Sequence, residues 1–224
     1  MKIIYNSNLF YFMGLLLLCI GACKKSDSPY YDYENTVQTF NGSAMDYLRT
    51  QPAGTFDSLL LVLERYPQLQ DSLTNAAVTL FAPVNKNFES ALKYLNIQRK
   101  SESKPPVYLR NADIDELSFM MCKYIIRGNR TTEAYINNVD GMLLNSIVTN
   151  YAMHIKYVKM SSSGYVGGGA ATLNFSETFG SIFTTQWVIT TTNAVNIKTN
   201  NATINILSPI HNFGFDEFTY RLNN

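Results

Sequence analysis

The chain has 224 residues, 46% hydrophobic and only 16% charged, which is enough apolar material for one domain with a full-sized core. With 18 Lys and Arg against 17 Asp and Glu, and no basic run beyond Lys24 and Lys25, it lacks the electrostatic footprint of a nucleic-acid-binding protein. That class of function is excluded.

Residues 1–22 read as an export signal. Lys2 is a short positive start, and the apolar stretch "LFYFMGLLLLCI" is shorter than the ~20 residues of a comfortable membrane span. The stretch closes on "IGAC", residues 20–23, which resembles the bacterial lipobox: an apolar core, the small residues Gly21 and Ala22, then a cysteine. The resemblance implies that Cys23 takes a diacylglycerol on its thiol and, after cleavage, an acyl chain on its freed amine. At about 0.8 kcal/mol per buried methylene, two or three such chains hold a protein on a bilayer durably. Lys24 and Lys25 give no retention signal for the inner membrane, so the expected location is the cell envelope, as an outer-membrane lipoprotein facing the periplasm or the outside. A plain transmembrane anchor with an incidental cysteine is the alternative. Removing Lys2 with the leader leaves 17 basic residues against 17 acidic, a formally neutral mature chain.

The cysteines agree with this reading. Cys19 leaves with the leader and Cys23 is consumed by lipid, so Cys122 has no intrachain partner. Cys122 lies in "IDELSFMMCKYII", apolar at helical spacing, and is expected in the core. Residues 23–42, including "KKSDSPYYDYENTVQTFNG", lack periodicity and form the expected lipidated tether, in which Tyr30, Tyr31 and Tyr33 are unusual for a solvated linker.

The folded part starts with helices. "SAMDYLRTQP" is a short one ended by Pro52. "TFDSLLLVLERY" begins with Thr55 as N-cap, puts Phe56, Leu59, Leu60 and Leu63 on one face, and is stopped by Pro67. In "NAAVTLFAPVNKNFESALKYL" the β-prone run Val78, Thr79, Leu80 and Phe81 leads past Pro83, which halts ladder pairing, into a helix capped by Asn85 and bearing Phe88, Leu92 and Leu95. After the polar insertion "SESKPP" a third helix opens on the capping pair Asp113 and Glu116. Beyond Ile126 the chain changes to short runs of Thr, Val, Ile, Tyr and Phe divided by Asn and Gly, among them "YAMHIKYVKM", "SIFTTQWVITT" and "ATINIL", which read as strands in a meander. Helices first and strands afterwards define an α+β class.

These residues carry a second resemblance. "VTLFAPVNKNFESAL" is similar to the first conserved box of the fasciclin-like (FAS1) domain, "CKYIIRG" falls where that family has its strand after the third helix, and "AVNIKTNNATINILSPI" resembles its second box. The resemblance implies one α+β domain over residues 43–221, with N-terminal helices packed on a twisted, antiparallel-rich β-wedge. It makes Thr79, Leu80, Phe81, Ala82, Pro83, Asn85, Phe88, Asn205 and Ile206 the family-motif core, and it places the second-box strand beside the first. It also implies extracellular adhesion or binding without catalysis. Lys123 and Tyr124 stand where animal members have a Tyr-His pair associated with receptor adhesion, so that adhesion mode is not implied. The tail "HNFGFDEFTYRL" resembles endings of FAS1-like lipoproteins encoded near glycan-uptake systems.

Other motifs lead elsewhere. Gly167, Gly168 and Gly169 in "GYVGGGAATL" precede a β-type stretch instead of a helix, so they form a flexible hairpin loop and no phosphate cradle. His211, Asp216 and Glu217 make a poor metal cage, with adjacent carboxylates pointing apart, and a packing or capping role is expected. The sequons at Asn129 and Asn201 mean little behind a bacterial lipobox. The expected function is therefore a lipid-anchored, non-catalytic surface module that contacts an extracellular protein or glycan, with neither cofactor nor metal. Tyr165 and Trp187 are the candidate stacking residues, although a lone tryptophan in a β-run is most simply core. The alternative is an enzyme acting on envelope polysaccharide through carboxylates distant in sequence.

Overall fold

The structure is a computed structural model and describes residues 38–161 and 169–224. The expected leader, Cys23, Tyr30, Tyr31, Tyr33 and Tyr165 lie outside the described residues.

Helix α1 (Ala44–Thr50) opens on a capping box in which the Ser43 hydroxyl accepts from Asp46 N–H and the Asp46 carboxylate accepts from Ser43 N–H. Helix α2 (Asp57–Glu64) starts one residue later than expected, with Phe56 in place of Thr55 at its N-cap, and buries Phe56, Leu59, Val62 and Leu63 while Leu60 is only partly covered. Pro67 begins a helix instead of ending one. It is the first residue of α3 (Pro67–Asn75), where proline's missing N–H leaves no bond unmade. Strand β2 (Val78–Ala82) is buried at all five positions and stops before Pro83; α4 (Asn85–Ser101) follows at once. Helix α5 (Ile114–Cys122) is capped by Asp113, whose carboxylate accepts from the N–H groups of Asp115 and Glu116. The reciprocal half of the expected capping pair is not made, because the Glu116 carboxylate is engaged by Arg221.

The remaining strands are β1 (Gln38–Thr39), β3 (Ile125–Arg127), β4 (Met142–Asn145), β5 (Ala152–Lys159), β6 (Ala171–Glu177), β7 (Val188–Lys198) and β8 (Ala202–Leu207), and α6 (Glu217–Leu222) closes the chain. The sheet runs β3-β2-β8-β7-β6-β5-β4, so β4 to β8 form the expected antiparallel meander. β2 lies parallel to β8, with Val78 opposite Ala202 and Ala82 opposite Ile206, so "VTLFA" and "TINIL" are neighbours. The two ends of the sheet meet: Ile126 bridges to Ser146, and Ile147 N–H donates to the Ile125 carbonyl at 2.9 Å. The wedge is thus curled into a mixed, nearly closed barrel, and the fold class is α+β.

Its interior is aromatic. Phe81 of β2 stacks on Phe175 of β6 with centroids 4.0 Å apart and planes 3° from parallel. Tyr124 stacks on Phe213 and Phe215 nearby, and Phe88 of α4 stacks on Phe213. Ile206, expected in the core, is only partly buried, whereas Ile204 and Leu207 beside it are closed off. The fold also begins before residue 43: β1 pairs parallel to β7 at Ile197 and Lys198, Phe40 packs edge-on to Tyr47, and Asn200 N–H donates to the Gly42 carbonyl. At the other end Leu222 is buried, and Arg99 holds the carbonyls of Leu222 and Asn224.

Candidate binding face

The meander half of the sheet turns one side to the interior and the other to solvent, as a two-residue period requires. Met153, Ile155, Leu173 and Phe175 point inward and are fully buried. The opposite side carries a cross-strand row of Leu143, His154, Ser176 and Ile189, set by pairings across β4, β5, β6 and β7. The next row puts Lys156 opposite Asn174 and Asn174 opposite Thr191. Leu143 and Ile189 at the ends of the first row are 61% and 50% exposed, while His154 and Ser176 between them are buried, so the row is open to solvent at its ends.

Trp187 crowns it. The residue is not core: it precedes β7, at the end of a loop that contains the 3-10 turn Thr184–Gln186, and is half-buried. Its indole N–H donates to the Ser181 carbonyl at 2.8 Å, which leaves the ring face as its free surface. The buried His154 ring supports it, with centroids 4.6 Å apart at 51°. His154 Nε2 lies 2.8 Å from the Asp140 carbonyl, and since a carbonyl only accepts, Nε2 is the protonated nitrogen. Gly141 crosses over this imidazole with φ +85°, and a Cβ there would lie 2.5 Å from the ring, so only glycine fits.

Trp187 and His154 line two cavities. One, of about 620 Å³, is apolar and lined by Leu143, Tyr151, Phe179, Ile182 and Trp187. The other, of about 420 Å³, adds polar groups to the tryptophan: Asp140, Lys156, Asn174 and Thr184. Ile182 and Phe183 beside them are largely exposed. The loop above the apolar cavity is fixed from beneath. Buried Glu177 accepts from Phe179 N–H at 2.8 Å and from the Tyr151 hydroxyl at 2.9 Å, and its other oxygen holds Lys123. Lys123, fully buried at the foot of α5, also pairs with Glu217 of α6, and its ammonium faces the Tyr151 ring at 4.5 Å. Arg221 joins Glu217 to Glu116. Nothing in local sequence spacing signalled this ion network; its members come from α5, the end of β6 and α6.

The family-motif residues sit away from this face and hold the frame. The Thr79 hydroxyl donates to the Gly128 carbonyl and accepts from Arg130 N–H. Asn85 does cap a helix, but not its own: its side-chain oxygen accepts from Ser58 N–H in the first turn of α2, and its amide donates to Asp57. The N-cap of α4 is Val84, whose N–H donates to Asn87 in the first turn, and the Asn87 amide donates to the carbonyls of Ser208 and His211. Leu80, Phe81, Ala82 and Phe88 are fully buried, and Pro83 follows the last residue of β2. Asn205 accepts from Asn196 N–H where β7 is irregular and Asn196 adopts φ +61°. Asn201 accepts from Ala44 N–H and donates to the carbonyls of Leu73 and Ala76, so its amide serves the ends of two helices.

The remaining reactive groups are internal. Burial pushes the Cys122 thiol up to about 11. His211 is buried beside Tyr124, 2.8 Å from its hydroxyl, and burial lowers its imidazole to about 3. The Tyr124 hydroxyl accepts from Gly214 N–H, so its single proton goes to neutral His211. Asp216 accepts from Asn212 and Glu217 is held by Lys123, so His211, Asp216 and Glu217 do not converge. Among the described residues no group of three or more His, Cys, Asp or Glu is placed to hold a metal ion, and no helix is long and apolar enough to cross a membrane.

The class defined by these features is an α+β domain with a curled mixed sheet and one uncovered aromatic face. Among solved structures the chain is similar to a FAS1 domain pair from the insect cell-adhesion molecule fasciclin I, with TM-score 0.47 and 13% identity. The likeness covers 75% of this chain and 55% of that one. No family matches the chain by sequence, and no curated protein matches it.

Proposed function

We propose that the chain is a FAS1-type binding or adhesion module, anchored to the outer membrane through lipid on Cys23, that engages an extracellular partner without chemical turnover. The observation that carries this reading is the outer face of β4 to β7, where Trp187 lines two cavities and Leu143, Ile182 and Phe183 are exposed. The parallel pairing of β2 with β8 supports the family assignment, because the resemblance requires the two boxes to be neighbours. Residue 38 enters the fold beside Ile197, up to about 30 Å along β7 from Trp187 at a strand rise of about 3.3 Å per residue. The first described residues therefore join the sheet at the opposite end of β7 from Trp187.

A non-catalytic role agrees with the fate of the reactive side chains. Cys122 and His211 are sealed in the core, and His154 is committed to a backbone carbonyl. An enzyme acting on envelope polysaccharide would need two carboxylates facing across a cleft; Glu177 and Glu217 instead face each other across Lys123. In cells, Cys23→Ser should abolish radiolabelled-fatty-acid incorporation and release the protein from membranes. Full chain on beads should retain extracellular material through the Trp187 face and liberate no product from envelope polysaccharides. Unchanged lipid labelling of the variant would remove the anchor, and turnover lost on changing a single carboxylate would replace the binding module with an enzyme.

A further inference from the structure

We infer that the smaller cavity beside Trp187 is a saccharide subsite that takes a pyranose ring of a glycan; this rests on the reading of the open face as the contact surface. Its volume of about 420 Å³ falls among small-molecule sites. The wall is an indole with its N–H already spent on the Ser181 carbonyl and its ring supported by buried His154, so it offers a rigid apolar face and no donor. The rim holds an acceptor-only carboxylate at Asp140, a donor-only ammonium at Lys156, an amide at Asn174 and a hydroxyl at Thr184. Among the described residues, none of these four side chains has a hydrogen-bond or ion-pair partner within the protein. Lys156 and Asn174 are held opposite one another by the β5–β6 register, and the His154 bond fixes the backbone of Asp140.

A pyranose fits that combination. Its axial C–H groups make one ring face apolar, suited to stacking on an indole, while its equatorial hydroxyls need both donors and acceptors around the edge. The alternatives fit less well. An added peptide strand would pair through backbone groups along a sheet edge, as at β4 beyond its bridge to β3, and would leave the indole and the polar rim unused. A phosphate-rich ligand would face the Asp140 carboxylate, and an aliphatic chain would leave the four polar groups unpaired.

The test uses the chain's single tryptophan, which is Trp187 itself. Full chain in a sugar-free zwitterionic detergent is titrated with neutral gluco-, manno-, xylo- and galacto-oligosaccharides of about six residues, following indole fluorescence and heat. At least one series should give a saturable spectral change. Asp140→Asn and Lys156→Met should each weaken that binding tenfold or more, and Trp187→Ala should remove the calorimetric signal, with melting temperature unchanged in the two rim variants. No saturable response to any series at millimolar concentration overturns the saccharide subsite, as does wild-type affinity in both rim variants. Capture of an extracellular protein, lost in Trp187→Ala while all sugars fail, would overturn the subsite but keep the binding module; loss of both would end the binding reading too.

Discussion

His211 gives the protein a built-in sensitivity to acid. Its imidazole is sealed in the core, accepts from the Tyr124 hydroxyl, and is lowered by burial from 6.5 to about 3. In the unfolded chain it titrates at its ordinary value near 6.5. The folded value is the lower one, so unfolding takes up a proton as pH falls below 6.5. The stabilisation from keeping His211 neutral is complete above 6.5 and drains away down to about 3. At about 1.36 kcal/mol per pH unit, moving from pH 7 to pH 4.5 removes about 2 to 3 kcal/mol. His211→Gln keeps an acceptor for Tyr124 but cannot titrate. Urea unfolding of both proteins at half-unit steps across this range, followed by far-ultraviolet circular dichroism, isolates the imidazole, because the carboxylates titrate equally in each. The stability difference, wild type minus variant, should fall by about 2 to 3 kcal/mol between pH 7 and pH 4.5. A difference that stays flat would show that His211 is not held neutral by its surroundings.

Phe81→Ala should cost about 3 to 5 kcal/mol by denaturant titration, because it empties the stack on Phe175, while Ile206→Ala should cost less than half as much at its partly exposed position. Lys123→Met should destabilise by about 3 to 5 kcal/mol, since it strands Glu177 without a cation, and adding Glu177→Gln should restore most of that in a double-mutant cycle. Asn201→Ala leaves Ala44 N–H and two helix-end carbonyls without their partner and should cost about 1 to 3 kcal/mol in thermal melts.

Apolar periodicity makes the larger elements legible in the sequence. The run from Val78, the helix bearing Phe88 and the late meander all appear where apolar spacing puts them, because that spacing is itself a local pattern. Helix α3 was hidden by Pro67, whose meaning reverses between the end of one helix and the start of the next. Sequence makes Asn85 the cap of its own helix, whereas its side chain serves Ser58 of α2, a target that is settled only when α2 and α4 are packed together. Trp187 stood out as a candidate stacking residue, but the run "SIFTTQWVITT" suggested a strand where a loop and a 3-10 turn precede β7. Of the cavity beside it, Asp140, Lys156 and Asn174 carried no local mark. They lie on three segments that meet only through the register of β4, β5 and β6.

Strand β1 determines where a mechanical load arriving through the N-terminal segment meets the fold. It is pinned by two residue pairs to β7, and beyond it Phe40 N–H donates to the Lys198 carbonyl while Asn200 N–H donates to the Gly42 carbonyl. These bonds are fewer than those of any neighbouring ladder, and the next hold is the Asn201 cap on α1 at Ala44. Tension would therefore peel residues 38–43 away before it opened the barrel, paying out about 20 Å of slack at about 3.3 to 3.6 Å per residue. The domain would behave as a load with a short extensible lead: a tug on residue 38 lengthens the leash while the face that carries Trp187 keeps its shape.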